Sequence, residues 1–446
     1  MFKRKIDYAL REWSDSPYRK PLLLRGARQV GKTTAVRMFS QSFDTFIELN
    51  LEHEGDRELF EKETDIARLY NYILLKKGIT NAGKRVLLFI DEIQNSPKAI
   101  HSLRYFYEQK PSLHVIAAGS LLEMFLTRSR IGLAVGRIEN LWMHPMDFAE
   151  FLEAAGQAAL LSAMKEIPCP DYVCKVARDW FLQYALIGGM PEVVKIYLET
   201  NDISQVHNII KNLLITYSDD MIKYAKNKEQ AEIIRYVWEH IPLEVGKQVS
   251  FNLFGGSSYK THTVKNAMLL LEQSSLVKLI YPYTTYELPS LPVKTKKPKL
   301  LMLDTGLLNY MAGVQEEYFG INNLNSIYKG IAMEHLVGQL LTANRKDSFL
   351  PLSFWVRDKR GSSAEMDYVI SWKRQLIPLE VKAGSSGSLK SLMQFMHESS
   401  SNLAIRAYDG DFSIQEINLD SGKMFKLLNL PLPLVGMIHD YIEKYA

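Results

Sequence analysis

An α/β fold opening on an open, mainly parallel sheet with helices on both sides is predicted by three stretches of this 446-residue chain. The first is a short apolar run at residues 21–24. It leads into Gly26-Ala27-Arg28-Gln29-Val30-Gly31-Lys32-Thr33, a match to G-x-x-x-x-G-K-[ST], with a helix-favouring segment behind it. The second is Arg85-Val86-Leu87-Leu88-Phe89-Ile90-Asp91-Glu92, an apolar strand suited to burial on both faces, as parallel sheets require. The third, Leu113-His114-Val115-Ile116-Ala117-Ala118, is another buried run, ending at Gly119-Ser120. Strand, loop and helix followed by alternating strands and helices imply one layered sheet over residues 1–155.

The first two stretches carry chemistry. Gly26 and Gly31 let the backbone curl so that successive N–H groups face a phosphate, and the helix dipole behind them adds positive potential. On this reading Gly26, Ala27, Arg28, Gln29, Val30, Gly31, Lys32, Thr33 and Thr34 bind ATP, Lys32 reaches its β- and γ-phosphates, and Thr33 ligates Mg²⁺. Asp91 holds Mg²⁺ through water and Glu92 orients the attacking water, at the strand end where α/β folds place ligands. Ser120 is either a γ-phosphate sensor or a plain helix cap. Together these residues predict ATP hydrolysis.

Composition bounds the rest. The length predicts two or three domains, and 47% hydrophobic with 23% charged residues is the balance of a soluble globular protein. No apolar run approaches the roughly 18 to 20 residues that span a bilayer, and Met1-Phe2-Lys3-Arg4-Lys5 precedes no signal core. A cytoplasmic protein without membrane contact is expected. Cys169 and Cys174 are too few for a disulfide framework and have no companions for a zinc site. The net charge of +4 is the small difference between 54 basic and 50 acidic residues, so any nucleic-acid surface is local.

In chain order, Ile6, Leu10 and Trp13 at helical spacing predict a lead-in helix, residues 46–51 a strand and residues 65–76 a helix. The basic, glycine-containing stretch 127–137 reads as a loop beside the nucleotide edge. In it Arg137 is a candidate transition-state arginine, acting within the chain or across a subunit boundary, with Arg128 and Arg130 as competitors. Residues 146–225 are helical with one break at Ile187-Gly188-Gly189-Met190-Pro191-Glu192. A helix at 229–241, an extended piece at 249–253, a helix at 261–272 and a strand at 276–281 give the outline of a winged helix. Lys294, Lys296, Lys297 and Lys299, near Tyr281, Tyr283 and Tyr286, would meet DNA phosphates in its wing; alternatively the module is a lid or packing unit.

The C-terminal third predicts a helix at 330–343 carrying Glu334, a strand at 352–356, and a hairpin with its turn near residue 373. That hairpin brings Asp367 close to Glu380, while Glu380 and Lys382, two apart on a strand, share a face. Two carboxylates and an ammonium around one point suit a second divalent metal, with Lys382 positioning water against a phosphodiester and Glu334 and Gln394 completing the set. The other reading is a hairpin whose exposed charges happen to face one way.

Arg25 to Thr34 of the loop, the run Phe89-Ile90-Asp91-Glu92-Ile93-Gln94, Gly119-Ser120 and His144-Pro145-Met146-Asp147-Phe148 resemble the prokaryotic AAA-family ATPases of the archaeal-type branch. These carry a C-terminal domain of unknown function similar to PD-(D/E)XK nucleases. The resemblance covers nearly the whole chain. It implies that Gly189 and Pro191 belong to a Gly-x-Pro lid motif that contacts nucleotide, and that Asp367, Glu380 and Lys382 occupy the nuclease signature, with Glu334 and Gln394 as helical accessories. The Asp367 context, Glu365-Met366-Asp367, lacks the signature's preceding Pro.

The expected organisation is thus a P-loop ATPase domain at 1–155, a helical lid and winged helix at 156–300, and an α/β restriction-endonuclease-like domain at 301–446. Two functions compete: an ATPase that couples nucleotide state to a DNA-binding, metal-dependent nuclease, and an ATP-driven switch whose nuclease fold is catalytically silent. A ring-forming motor, which would need an inter-subunit arginine, is a third.

Overall fold

The structure, a computed structural model, describes residues 1–129, 136–314, 330–345, 350–359, 361, 363–384 and 389–446, apart from the side chains of 128 and 129. Residues Met1–His144 with Gln273–Ser275, and Pro145–Glu272 with Leu276–Ala446, form two compact units. Among the described residues no helix is long and apolar enough to cross a membrane.

The first unit is a five-stranded sheet in the order β2 (Thr45–Asn50), β3 (Val86–Asp91), β4 (His114–Ala118), β1 (Leu22–Arg25), β5 (Glu139–Trp142). Every neighbouring pair is parallel. β3 and β4 are buried throughout, which is why their sequences are continuous apolar runs rather than alternations. Leu23, Ile47, Leu88, Ile90 and Val115 pack with Leu59, Leu69, Ile73 and Phe106 from the helices on one face. The lead-in helix Ile6–Asp15 buries Ile6, Leu10 and Trp13 as its spacing requires. Asp65 caps the helix Ile66–Lys76 by accepting a hydrogen bond from the Arg68 N–H.

One buried histidine makes this unit acid-sensitive. His114 opens β4 between the edges of Trp13 and Phe43, with ring centroids 5.9 and 4.9 Å away. Burial, reinforced by Arg19 and Arg85, lowers its pKa from 6.5 to about 4. The folded value lies below the unfolded one, so its contribution to stability is complete above pH 6.5 and is lost as pH falls towards 4. His114→Phe, which keeps the aromatic contacts, is expected to flatten the acid limb of a urea-melt stability profile over that window.

The second unit begins with helices. Phe148–Ala154, Ala158–Ala163, Asp171–Ile187, Pro191–Thr200, Ile203–Ile222 and Lys228–Glu244 follow one another. The break falls where expected: Gly188 leaves the helix at φ 77°, and Pro191 opens the next helix at its first position. Residues 249–253 form no strand; Leu253 sits at φ 56°, a turn conformation that the apolar residues there conceal. After the helix Thr261–Gln273 comes a two-stranded antiparallel ribbon of β6 (Val277–Ile280) and β8 (Lys299–Met302).

The residues between the ribbon strands do not project as a wing. β7 (Pro282–Tyr283) joins a seven-stranded sheet in the order β13 (Ser413–Asn418), β14 (Met424–Pro431), β12 (Leu403–Tyr408), β11 (Gln375–Lys382), β10 (Glu365–Trp372), β9 (Ser353–Val356), β7. Tyr283 is fully buried, and Tyr286 packs on Trp355 and Phe395 with centroids 5.2 and 5.5 Å apart. Apolar packing has claimed both rings for a core. Lys296 pairs with Asp358 at 2.7 Å and Lys299 is buried, leaving Lys294 and Lys297 as the exposed members of the run. Cys169 and Cys174 are buried free thiols.

Candidate functional site

The loop between β1 and the helix Lys32–Phe39 is built from backbone conformations its sequence makes accessible. Gly26 has φ 140° and Gly31 φ 100°. A Cβ on Gly26 would lie 2.2 Å from the Met143 carbonyl oxygen, so the loop packs this closely only with glycine there. Gln29 takes a left-handed φ of 64° at the exposed tip, between the buried Ala27 and Val30, with the half-buried Arg28 beside it. From the opposite side the buried Arg4 donates to Val30 O at 2.9 Å and to His144 O at 2.8 Å. This tie was not read from the sequence, in which Arg4 is one of three basic residues at the start.

Lys32 is 7% exposed, and its ammonium donates to Gly26 O at 2.9 Å and Ala27 O at 2.7 Å. Burial pulls its pKa down to about 8, with Arg28 adding to the shift and Glu92 and Asp91 opposing it. Thr33 Oγ1 donates to Asp91 Oδ2 at 2.7 Å, bringing loop and strand end together, while Thr34 faces out on the first helical turn. Desolvation raises the Asp91 pKa against its hydrogen bonds. A hydroxyl beside a carboxylate, next to an ammonium bonded to carbonyls, is a donor set that fits Mg²⁺ with a nucleotide phosphate.

Glu92 stands at φ 52°, just past the end of β3. The Gln94 amide donates to Glu92 Oε2, and the Ser120 hydroxyl lies 3.4 Å from the same oxygen. Gln94 itself fits because residue 119 is glycine: a Cβ there would lie 2.2 Å from Gln94 Oε1. Gln94 is thus a positioning residue for Glu92 that sequence reasoning did not single out.

Arg137 lies elsewhere. It precedes β5, whose first residue, Glu139, pairs with Leu22 at the start of β1, whereas the phosphate loop follows the far end of that strand. The length of β1 separates the two ends by roughly 10 Å, at about 3.3 Å per residue. Arg137 Nε pairs with Glu108 at 3.2 Å, and the guanidinium lies over the Tyr107 ring. Of the two routes read from the sequence, action within the chain does not fit this position. The competitor Arg130 and the side chain of Arg128 lie outside the described residues.

In the second unit, Gly189 and Pro191 sit at the helix break. Gly189 N–H donates to Asp304 Oδ2 at 2.7 Å, and a Cβ on Gly189 would lie 1.9 Å from Met146 O. The β10–β11 hairpin forms with Lys373 and Arg374 as its two turn residues, placing Asp367 across from Glu380. Lys382 pairs with Glu380 Oε1, and the Val381 N–H donates to Asp367 Oδ2 at 2.7 Å. Burial, with Asp367 close by, pushes the Glu380 pKa up to about 7. Glu334, on the helix Gly330–Ala343, reaches the cluster by pairing with Lys299 at 2.6 Å. Gln394 does not reach it; its amide bonds Glu398 at 2.7 Å.

The lysine expected in a wing is therefore part of this cluster. Lys299 Nζ also lies 2.5 Å from Glu365 Oε1 and 3.8 Å from Asp367 Oδ1. Among the described residues no group of three or more His, Cys, Asp and Glu side chains is arranged to hold a metal ion. With an ammonium between the carboxylates, this set does not fit a divalent cation as it stands.

Residues 18–152 match a family described as an AAA domain. Residues 178–318 and 329–430 match two domains of unknown function, DUF8612 and DUF4143. A comparison with curated proteins finds no match. Among solved structures the chain is similar to the Walker-type ATPase PABY2304 of Pyrococcus abyssi, at 16% identity and a TM-score of 0.45, over 70% of this chain and 96% of that one. It is also similar to PH0952 of Pyrococcus horikoshii, a signal transduction ATPase with numerous domains and a tetratricopeptide-repeat sensor. That likeness has 12% identity and a TM-score of 0.27, over 75% of this chain and 48% of that one. Over residues 18–152 the family match and the loop geometry agree on an AAA domain with a phosphate-binding loop.

Proposed function

We propose that the protein is an ATP-driven switch: it binds and hydrolyses ATP in its first unit, and its nuclease-like C-terminal domain serves as a binding platform that does not cut. The observation that carries the first half is the Thr33–Asp91 contact beside Lys32. Lys32 would turn from the carbonyls of Gly26 and Ala27 to the phosphates of ATP. Thr33 and Asp91 would present the oxygens that hold Mg²⁺, which when bound neutralises phosphate charge. Glu92, oriented by Gln94 and Ser120, would hold the attacking water. Glu92→Gln is expected to keep ATP binding while phosphate release falls roughly 10²- to 10⁴-fold. Unchanged turnover would remove Glu92 from the mechanism.

The pairing of Glu334 and Glu365 with Lys299, and of Glu380 with Lys382, supports the platform reading over the competing nuclease reading. Labelled single- and double-stranded DNA and RNA, incubated with Mg²⁺ or Mn²⁺ with and without ATP, should remain intact. Cutting that disappears in Lys382→Ala would restore the nuclease. DNA as a partner of the winged-helix region is supported by the exposed Thr261, His262, Lys265 and Asn266 on the helix before the ribbon. Binding that weakens steeply with salt is the expected signature, because phosphate contacts release counterions.

A further inference from the structure

Lys299 opens β8, a strand held by β6 on one side, with Gln248 bridging to Lys299 itself. Its side chain is 2% exposed, and the Phe354 ring lies 5.0 Å from the ammonium. Around Nζ stand Glu334 from the helix and Glu365 and Asp367 from β10. Two of the remaining oxygens are engaged: Gln248 donates to Glu365 Oε2, and Val381 N–H to Asp367 Oδ2. Carboxylates from two elements converging on one desolvated cation make a cation site that the chain fills by itself.

We infer that Lys299 is the resident cation of this cluster, occupying the position a divalent metal would need, and that the domain excludes such metals while Lys299 is in place. This rests on the platform reading and supplies its physical cause. A divalent ion entering the same oxygens would meet and repel an ammonium carried on a buried strand, its side chain 2% exposed.

The test is Mn²⁺ binding to the nucleotide-free full chain, followed by electron paramagnetic resonance. The wild type is expected to show no Mn²⁺ bound at the cluster. Lys299→Met, which keeps the apolar stem, should gain one bound Mn²⁺ that Asp367→Asn abolishes in the double variant. A wild-type site lost in Asp367→Asn alone, or a folded Lys299→Met protein with no new site, overturns the inference. Should Lys299→Met fail to fold, acetylation of wild-type lysines read by mass spectrometry decides the matter. Lys294 and Lys297 should react and Lys299 should resist, equally with and without Mn²⁺; reaction at Lys299 induced by Mn²⁺ would show that the metal displaces it. Cutting of DNA by the wild type would instead defeat the platform reading, whatever Mn²⁺ does at Lys299.

Discussion

Lys32→Ala is expected to lose ATP hydrolysis by roughly 10²- to 10³-fold, the scale on which removing one preorganised charge from a reacting centre acts. ATP affinity should fall as well, by about 10- to 100-fold, because a charge-assisted hydrogen bond to phosphate contributes about 1.5–3 kcal/mol. The free protein should not be destabilised in proportion. In the absence of nucleotide the Lys32 ammonium is buried with two carbonyl partners, and burial outweighs its neighbours enough to hold its pKa at about 8. It is held at a cost to the folded state, in readiness for a ligand. Thermal melts with and without ATP and Mg²⁺ separate the two effects: the variant should match or exceed the wild type alone, and should lack the upward shift that ligand binding produces. A variant that melts far below the wild type would mean that Lys32 is chiefly a structural residue.

What could be read from the sequence follows from where burial leaves a pattern. β1, β3 and β4 each carry a continuous apolar run and were legible, whereas β5, Glu139-Asn140-Leu141-Trp142, is a sheet edge with every residue half-buried or exposed, and its composition is that of a loop. The β10–β11 hairpin was legible because two strand-like runs flank a two-residue turn, and its register then brings Asp367 and Glu380 together without further information. Lys299 misled for a local reason. It ends the run Lys294-Thr295-Lys296-Lys297-Pro298-Lys299, which has the look of a solvated basic loop, yet it is also the first residue of the buried Leu300-Leu301-Met302 strand. The lysine heading an apolar strand was the available signal; that three acids surround it depends on contacts across 35 to 68 positions of sequence. Arg4 and Asp304 were missed for the same reason, since a lone charge shows its burial only once its partners are in place.

Asp304→Ala should produce the largest loss of stability. Asp304 is completely buried, caps the helix Thr305–Met311, and accepts hydrogen bonds from four donors: Gly306 N at 2.9 Å, Leu307 N at 3.3 Å, Gly189 N at 2.7 Å and Gln339 Nε2 at 3.2 Å. Truncation leaves those donors in an interior that water does not reach, and the expected cost is roughly 3–5 kcal/mol, above the effect of an ordinary lost cap. Burial pushes the Asp304 pKa up to about 6 against the pull of its donors. Because that folded value lies above the unfolded one, the group's contribution to wild-type stability is complete below about pH 4 and declines as pH rises through about 6. The gap between wild type and variant in urea melts should therefore be wider on the acid side of that value. The position matters because the four donors belong to three segments: the Gly189-Met190-Pro191 turn, the cap of Thr305–Met311, and the helix Gly330–Ala343, which also carries Glu334 towards Lys299. Hydrogen exchange on Asp304→Ala should accordingly rise at the turn and along that helix together. Faster exchange confined to the cap would show that the three segments are held independently.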